Sequence, residues 1–175
     1  FLMISDIAQK YHLTKIPTVG DNILLAGGLE KDNKTGAIST DPENHDLMTR
    51  LRQQKIDNIE IPDLEVLGDA DDADLLIVGF GGTYGHLRAA MDELREAGKK
   101  VALAHFKYIN PLPKNTAAVL GKYKKVVVAE QNMGQLAAFL RMKIDGFTPY
   151  QFNQVKGQPF VVNELVEAFN EILNK

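Results

Sequence analysis

A glycine-rich turn at residues 79–85 (GFGGTYG) directly follows the apolar run 75–78 (LLIV) and precedes a helical pattern. Doubly wound folds bind nucleotides at such a turn. Its first two glycines match the dinucleotide fingerprint, but Tyr84 occupies the third position and no acidic residue ends the next strand. We therefore do not expect NAD or FAD here, and Gly82, Thr83 and Tyr84 are candidates for contact with a small anion at a helix N-terminus. The alternative is that the glycines only allow a tight turn.

A second polar cluster, Glu130-Gln131-Asn132, closes the apolar run 126–129 (VVVA) and precedes another helical pattern. Ligands and partners bind at the carboxyl edge of parallel sheets, so these side chains are candidates for contact with a partner subunit or a second copy of the chain. The alternative is a capping turn, with Asn132 as the helix cap and Glu130 paired nearby.

No metal or catalytic site is predicted. The chain contains no cysteine, which excludes disulfides, thiolate zinc sites, cysteine nucleophiles and cysteine-held iron–sulfur clusters. Residues 30–36 resemble a calcium loop, but Lys34 and Thr35 replace residues that the loop requires. Asp41 and His45 share a helical face, although an acidic first helical turn explains them equally well. We predict no catalytic, cofactor-binding or metal-binding residue in this chain.

The composition and net charge of the chain exclude further classes of protein. The chain has 175 residues, of which 45% are hydrophobic and 25% charged, and a formal net charge of −3. This balance argues against a nucleic-acid or membrane-surface partner that needs a basic face. No apolar run approaches the ~18 residues of a membrane span, and no signal peptide is visible. We expect a soluble, cytoplasmic protein.

From residue 63 onward the pattern is regular and predicts a domain over 63–175. Apolar runs predict buried strands at 75–78, 101–106, 126–129 and 150–155. Helical periodicity lies between and after them, near 87–94, 117–122, 134–143 and 163–173. Strands alternating with helices predict a mostly parallel sheet with helices on both faces.

Residues 1–62 are less regular and are predicted to be a linker or extension. We expect a short helix at 1–13, a short strand at 23–26, and mobility over about 1–35. A helix is predicted to begin at Thr40, with Pro42 in its first turn and Glu43 completing a capping box, and to end near Asp57.

The ordered motifs resemble those of the α subunit of 2-oxoacid:ferredoxin oxidoreductases, most closely the 2-oxoglutarate branch. The matching segments are 40–45 (TDPENH), 66–69 (VLGD), 78–85 (VGFGGTYG), 110–113 (NPLP), 128–136 (VAEQNMGQL) and 156–160 (KGQPF). The resemblance extends from about Leu25 to the end of the chain. Lys31 departs from it, because histidine is expected there.

The resemblance implies a three-layer α/β/α domain of the transketolase C-terminal type, with a five-stranded, mostly parallel sheet and one antiparallel strand. It implies an oligomeric complex that decarboxylates a 2-oxoacid on thiamine diphosphate, reduces ferredoxin and forms an acyl-CoA. The β subunit is expected to hold the diphosphate and magnesium, and other polypeptides or domains the iron–sulfur cluster. This chain alone is then a non-catalytic domain without cofactor, supporting assembly and the approach of coenzyme A. The alternative is a free-standing regulatory domain that binds a small anion.

Overall fold

The computed structural model describes residues 30–175. One unit of the chain ends at Ile59, and the second covers Glu60–Lys175. The helix and strand predicted at 1–13 and 23–26 lie outside the described residues, as does most of the segment predicted to be mobile. The assignment of residues 1–62 as a linker stays a prediction.

The first unit contains helix α1, Pro42–Asp57. The prediction of Thr40 as its cap was wrong, because the N-cap is Asp41, whose carboxylate accepts a 3.0 Å hydrogen bond from the Glu43 N–H. Asp41 has an extended backbone (φ −68°, ψ 121°), so the helix begins one residue later than expected, with Pro42 at its first position.

The second unit alternates strands and helices as the sequence predicts. The elements are β1 (Val66–Gly68), β2 (Leu75–Phe80), α2 (Tyr84–Glu96), β3 (Val101–Phe106), α3 (Thr116–Gly121), β4 (Val126–Glu130), α4 (Gln135–Lys143), β5 (Tyr150–Asn153) and α5 (Val162–Leu173). A single 3₁₀ turn, Gly81–Thr83, joins β2 to α2. Among these elements, as in α1, no helix is both long and apolar enough to cross a membrane.

The strands form one five-stranded sheet in the order β1-β3-β2-β4-β5. Strands β2 to β5 pair in parallel, whereas β1 is antiparallel to β3. Alternate side chains of each strand enter two separate cores, one under α2 and α5 and the other under α3 and α4. The three-layer α/β/α architecture with a mostly parallel five-stranded sheet is therefore confirmed.

Residue patterning did not locate the antiparallel strand. Strand β1 has only three residues and is not fully buried, so it carries no apolar run. It ends at Gly68, whose φ of +83° is a conformation that favours glycine. A Cβ atom at Gly68 would lie 2.6 Å from the Val101 carbonyl oxygen and 2.9 Å from the Met91 sulfur. Because glycine has no Cβ atom, the end of β1 can pack closely against the sheet and against α2.

Replacing Gly68 by alanine should lower the free energy of unfolding by about 1–3 kcal/mol, because the new Cβ atom meets backbone at a strained φ. Gly121→Ala is the matched control: nothing lies within 4 Å of its added Cβ. Alanine there should be neutral or stabilise α3 slightly. Urea unfolding of both variants measures the difference, and equal stabilities would contradict this account of β1.

Candidate functional site

The sheet changes winding direction between β2 and β4. From β2 the chain crosses through α2 on one face to β3, and from β3 it crosses through α3 on the other face to β4. The loops after β2 and β4 therefore diverge at the carboxyl edge and leave a crevice, which is where open α/β sheets bind ligands. This switch-point cleft has a volume of about 520 Å³. It is lined by Gly82, His86, Gln131, Gln154, Val155, Gly157, Gln158 and Pro159.

Glu130, the last residue of β4, lies inside the protein and not on this edge. Its side chain is 0% exposed, and its two oxygens accept hydrogen bonds from the backbone N–H groups of Leu136 (2.6 Å) and Ala137 (2.9 Å). These N–H groups belong to the first turn of α4, which has no intrahelical partner for them and carries partial positive charge. Glu130 is thus buried as a helix cap.

Asn132 completes the same cap. Its Oδ1 accepts hydrogen bonds from the N–H groups of Gly134 (2.7 Å) and Gln135 (3.1 Å). Gly134 has a φ of +93°, a backbone conformation that favours glycine. This conformation orients the backbone N–H groups at the start of α4 toward the side chains of Glu130 and Asn132. The prediction that Glu130 contacts a partner is corrected here, because a buried carboxylate that already accepts two hydrogen bonds cannot reach another chain.

Of the three glutamines that line the cleft, Gln131 and Gln154 differ in the hydrogen bonding of their side chains. Gln131 is exposed, and its Nε2 donates a 2.9 Å hydrogen bond to the Gln158 carbonyl oxygen across the cleft. Gln154 is only 7% exposed, and its backbone N–H donates to the Glu130 carbonyl oxygen at 3.0 Å. Its side-chain Oε1 is buried and has no hydrogen-bond partner among residues 30–175.

The three predicted site residues of the glycine-rich turn, Gly82, Thr83 and Tyr84, lie in different surroundings. Gly82 lines the cleft, and an added Cβ there would meet nothing within 4 Å. Thr83 is buried, and its hydroxyl donates a 2.8 Å hydrogen bond to the Phe80 carbonyl oxygen. No side chain caps the N-terminus of α2 or that of the preceding 3₁₀ turn. The N-terminus of α2 is therefore open, in contrast to that of α4.

Tyr84 lines a second, smaller cleft on the other side of α2. Its ring packs edge-to-face on His105 with centroids 5.1 Å apart, and burial lowers the pKa of His105 below its ordinary value. The cleft has a volume of about 350 Å³, and Arg88 and Lys107 also line it. Both cations already face carboxylates, since Arg88 pairs with Asp92 at 2.9 Å and Lys107 with Glu65 at 3.7 Å.

The Asp41 and His45 pair forms no metal site. Asp41 caps α1, and the His45 Nδ1 lies 2.9 Å from Glu30, which also accepts two 3.1 Å hydrogen bonds from Arg52. These contacts, those of Arg52 above all, lower the pKa of Glu30 to about 2. Over residues 30–175, no three His, Cys, Asp or Glu side chains are grouped so that they could hold a metal ion.

Sequence reasoning missed Gln154, Gln158 and His86. The sequence predicts a parallel strand over 150–155, which in the structure ends at Asn153, and the carboxyl ends of parallel strands meet at one edge of the sheet. That rule could have identified Gln154. The burial of its side chain could not be foreseen, because it depends on the pairing of β5 beside β4, two segments that are distant in the sequence.

Comparison with known proteins gives consistent matches. The family model described as pyruvate:ferredoxin oxidoreductase core domain II matches residues 73–164, just over half of the chain. The 2-oxoglutarate oxidoreductase subunit KorA of Mycobacterium tuberculosis is 49% identical over 161 residues, covering 91% of this chain and 24% of that protein. Subunit alpha of 2-oxoacid:ferredoxin oxidoreductase 2 of Aeropyrum pernix is 30% identical, covering 89% of this chain and 25% of that protein.

Among solved structures, the chain resembles the 2-oxoglutarate:ferredoxin oxidoreductase of Magnetococcus marinus, solved with 2-oxoglutarate, coenzyme A and succinyl-CoA bound. The TM-score is 0.75 at 32% identity, covering 91% of this chain and 28% of that one. The chain thus spans about a quarter of the length of the relatives that it matches.

Replacing Glu130 by glutamine should lower the free energy of unfolding by about 1–3 kcal/mol, because an NH₂ group would face a backbone N–H in a buried site. Glu164→Gln is the matched control, since Glu164 lies in the first turn of α5 with a side chain 47% exposed. Thermal unfolding of both variants measures the difference. An unchanged melting temperature for Glu130→Gln would contradict the capping role.

Proposed function

Because this chain belongs to the pyruvate:ferredoxin oxidoreductase core domain II family, we propose that it is the C-terminal part of the α subunit of a thiamine-diphosphate-dependent 2-oxoglutarate:ferredoxin oxidoreductase. The observation that carries this proposal is its alignment, over nearly the whole chain, with a 2-oxoglutarate oxidoreductase subunit. The complex would oxidatively decarboxylate 2-oxoglutarate, reduce ferredoxin and form the acyl-CoA. A cytoplasmic location stays a prediction from composition.

Within such a complex this chain would organise rather than catalyse. Residues 30–175 offer no group of three His, Cys, Asp or Glu side chains that could hold the magnesium of thiamine diphosphate. The chain has no cysteine, so a cysteine-held iron–sulfur cluster would be bound elsewhere in the complex.

We assign assembly to the carboxyl edge of the sheet. Each of the four segments that follow the parallel strands carries at least one large, exposed apolar side chain, and the first in each segment is Tyr84, Tyr108, Met133 or Val155. We name these four residues the carboxyl-edge surface. Exposed apolar groups that recur at one edge are typical of an interaction surface. The β subunit is the partner that we propose for it, and Met133 joins Gln131 and Asn132 as the contacts expected from the β4–α4 turn, whereas Glu130 is buried.

The activity itself is tested on the whole complex. The chain alone should show no saturable heat with thiamine diphosphate and magnesium at millimolar concentration and should release no carbon dioxide from 2-oxoglutarate. The assembled α and β subunits should turn over 2-oxoglutarate faster than pyruvate or 2-oxoisovalerate. Carbon dioxide release by the chain alone would refute the non-catalytic role, and a preference for pyruvate would refute the substrate.

The assembly role predicts an effect of Met133→Lys. Met133 is 81% exposed, so lysine should leave the melting temperature nearly unchanged. A charge at the interface should nevertheless weaken association of the α and β subunits about tenfold or more, corresponding to at least ~1.4 kcal/mol.

Met142→Lys is the matched control. Met142 is 70% exposed near the other end of α4, at the opposite edge of the sheet. Sedimentation of co-expressed subunits compares the two variants. Equal association of both with the β subunit would exclude the carboxyl-edge surface as the interface.

A further inference from the structure

The smaller of the two clefts described above brings two cations and two rings together beside α2. Its volume is about 350 Å³, and we name it the Arg88 cleft; it is lined by Glu65, Leu67, Tyr84, Arg88, His105 and Lys107. We infer that this cleft binds a small aromatic monocarboxylate, with Arg88 and Lys107 on the carboxylate and the rings of Tyr84 and His105 against the aromatic body. This inference goes beyond the proposed function and does not depend on it.

Three elements bring these side chains to one face of the sheet. Leu67 of β1 lies opposite Leu103 of β3 in the antiparallel pair, and His105 follows Leu103 by two residues on the same strand. Side chains two residues apart on a strand point to the same face, which here is the face covered by α2. Tyr84 and Arg88 are four residues apart on α2, so they are neighbours on one side of that helix.

The guanidinium of Arg88 supplies the carboxylate site. Its Nε donates a 2.9 Å hydrogen bond to Asp92, and the side chains of Asp92 and Tyr84 raise the pKa of Arg88 above its ordinary value. The contact with Asp92 uses one of the five guanidinium N–H donors, and the other four are carried by the two terminal nitrogens. The Arg88 side chain is 45% exposed, so this fork can bind the two oxygens of a carboxylate.

The charges of the lining favour an anion with a single negative charge. The Lys107 Nζ lies 3.7 Å from a Glu65 oxygen, and both side chains are more than two-thirds exposed. Such a loose, exposed pair contributes little, so the ammonium is free to face a ligand. The lining then carries two cations and one carboxylate, because burial lowers the pKa of His105 and keeps its ring neutral. A monocarboxylate balances this charge, whereas Glu65 would repel the second charge of a phosphate monoester.

The rest of the lining favours an aromatic body on that carboxylate. Leu67 is half-buried and packs against the core, and the Tyr84 ring is 43% exposed. The rings of Tyr84 and His105 lie at 72° to each other with centroids 5.1 Å apart, a geometry in which a third ring can join them. A volume of about 350 Å³ lies at the lower end of the range of small-molecule sites, which fits a ligand with one ring.

Calorimetric titrations of the full chain with four probes test this ligand chemistry. Because Tyr84 also belongs to the carboxyl-edge surface, they are made without the β subunit. Benzoate should bind at least tenfold more tightly than acetate, which has no ring, and than benzyl alcohol, which has no charge. It should also bind at least tenfold more tightly than phenyl phosphate at about pH 8, where the phosphate is a dianion. Absence of benzoate binding at millimolar concentration, or equal affinity for any of the other three probes, would overturn the inference.

Two substitutions in the Arg88 cleft should change the affinity for benzoate in opposite directions. Arg88→Met should weaken binding at least tenfold, whereas Glu65→Gln should strengthen it, because it removes the one carboxylate of the lining. Arg50→Met is the matched control: Arg50 pairs through its Nε with Asp46 four residues away, as Arg88 does with Asp92, and does not line the cleft. All three variants should keep nearly the wild-type melting temperature. Wild-type affinity in Arg88→Met, or weaker binding in Glu65→Gln, would refute the site.

NMR spectra of the histidine rings locate the bound ligand independently of any substitution. The ring of benzoate should shift the imidazole signals of His105, which lines the Arg88 cleft. The signals of His86, which lines the switch-point cleft, should stay unchanged. Benzoate-dependent shifts at His86 without shifts at His105 would overturn the assignment to this cleft.

Discussion

The carboxyl edge of the sheet depends on one buried interaction, the carboxylate of Glu130 on the first turn of α4. Both of its oxygens accept backbone N–H groups at 2.6–2.9 Å in a site without solvent. Asn132 accepts the two preceding N–H groups. A negative group at the positive end of the helix dipole satisfies donors that burial would otherwise leave unpaired. This interaction fixes where α4 begins relative to β4, and thereby one wall of the switch-point cleft.

Two of the four helices that begin at this edge, α2 and α4, differ in how the N–H groups of their first turns are satisfied. The anion site of α4 is filled by the chain's own Glu130, so the turn can present its exposed Gln131 and Met133 outward. The N-terminus of α2 has no such side chain and faces open space at Gly82. Helix N-termini attract anions equally well in either case. In α4 the side chains of Glu130 and Asn132 accept these N–H groups, whereas no side chain does so in α2.

A division of labour follows from this arrangement. In the function proposed above, the well-packed sheet of the described residues would organise a larger enzyme. This chain covers about a quarter of the full length of the family members that it matches, so those proteins are about four times as long as this chain. The switch-point cleft and the carboxyl-edge surface both lie at the carboxyl edge of the sheet. The topology thus places the cleft and the proposed assembly surface at the same edge.

The sequence by itself determined the four parallel strands, the buried faces of the helices and the order of the family motifs, because hydrophobic periodicity and turn residues are local properties. The tertiary structure decided the rest. Burial of Glu130 required the exact approach of α4 to β4, and burial of Gln154 required β5 to pair beside β4. The short antiparallel β1 is held by pairing with β3, some 35 residues further along the chain. Contacts between residues distant in sequence leave no periodic signal, so the roles of these residues emerged only from the folded chain.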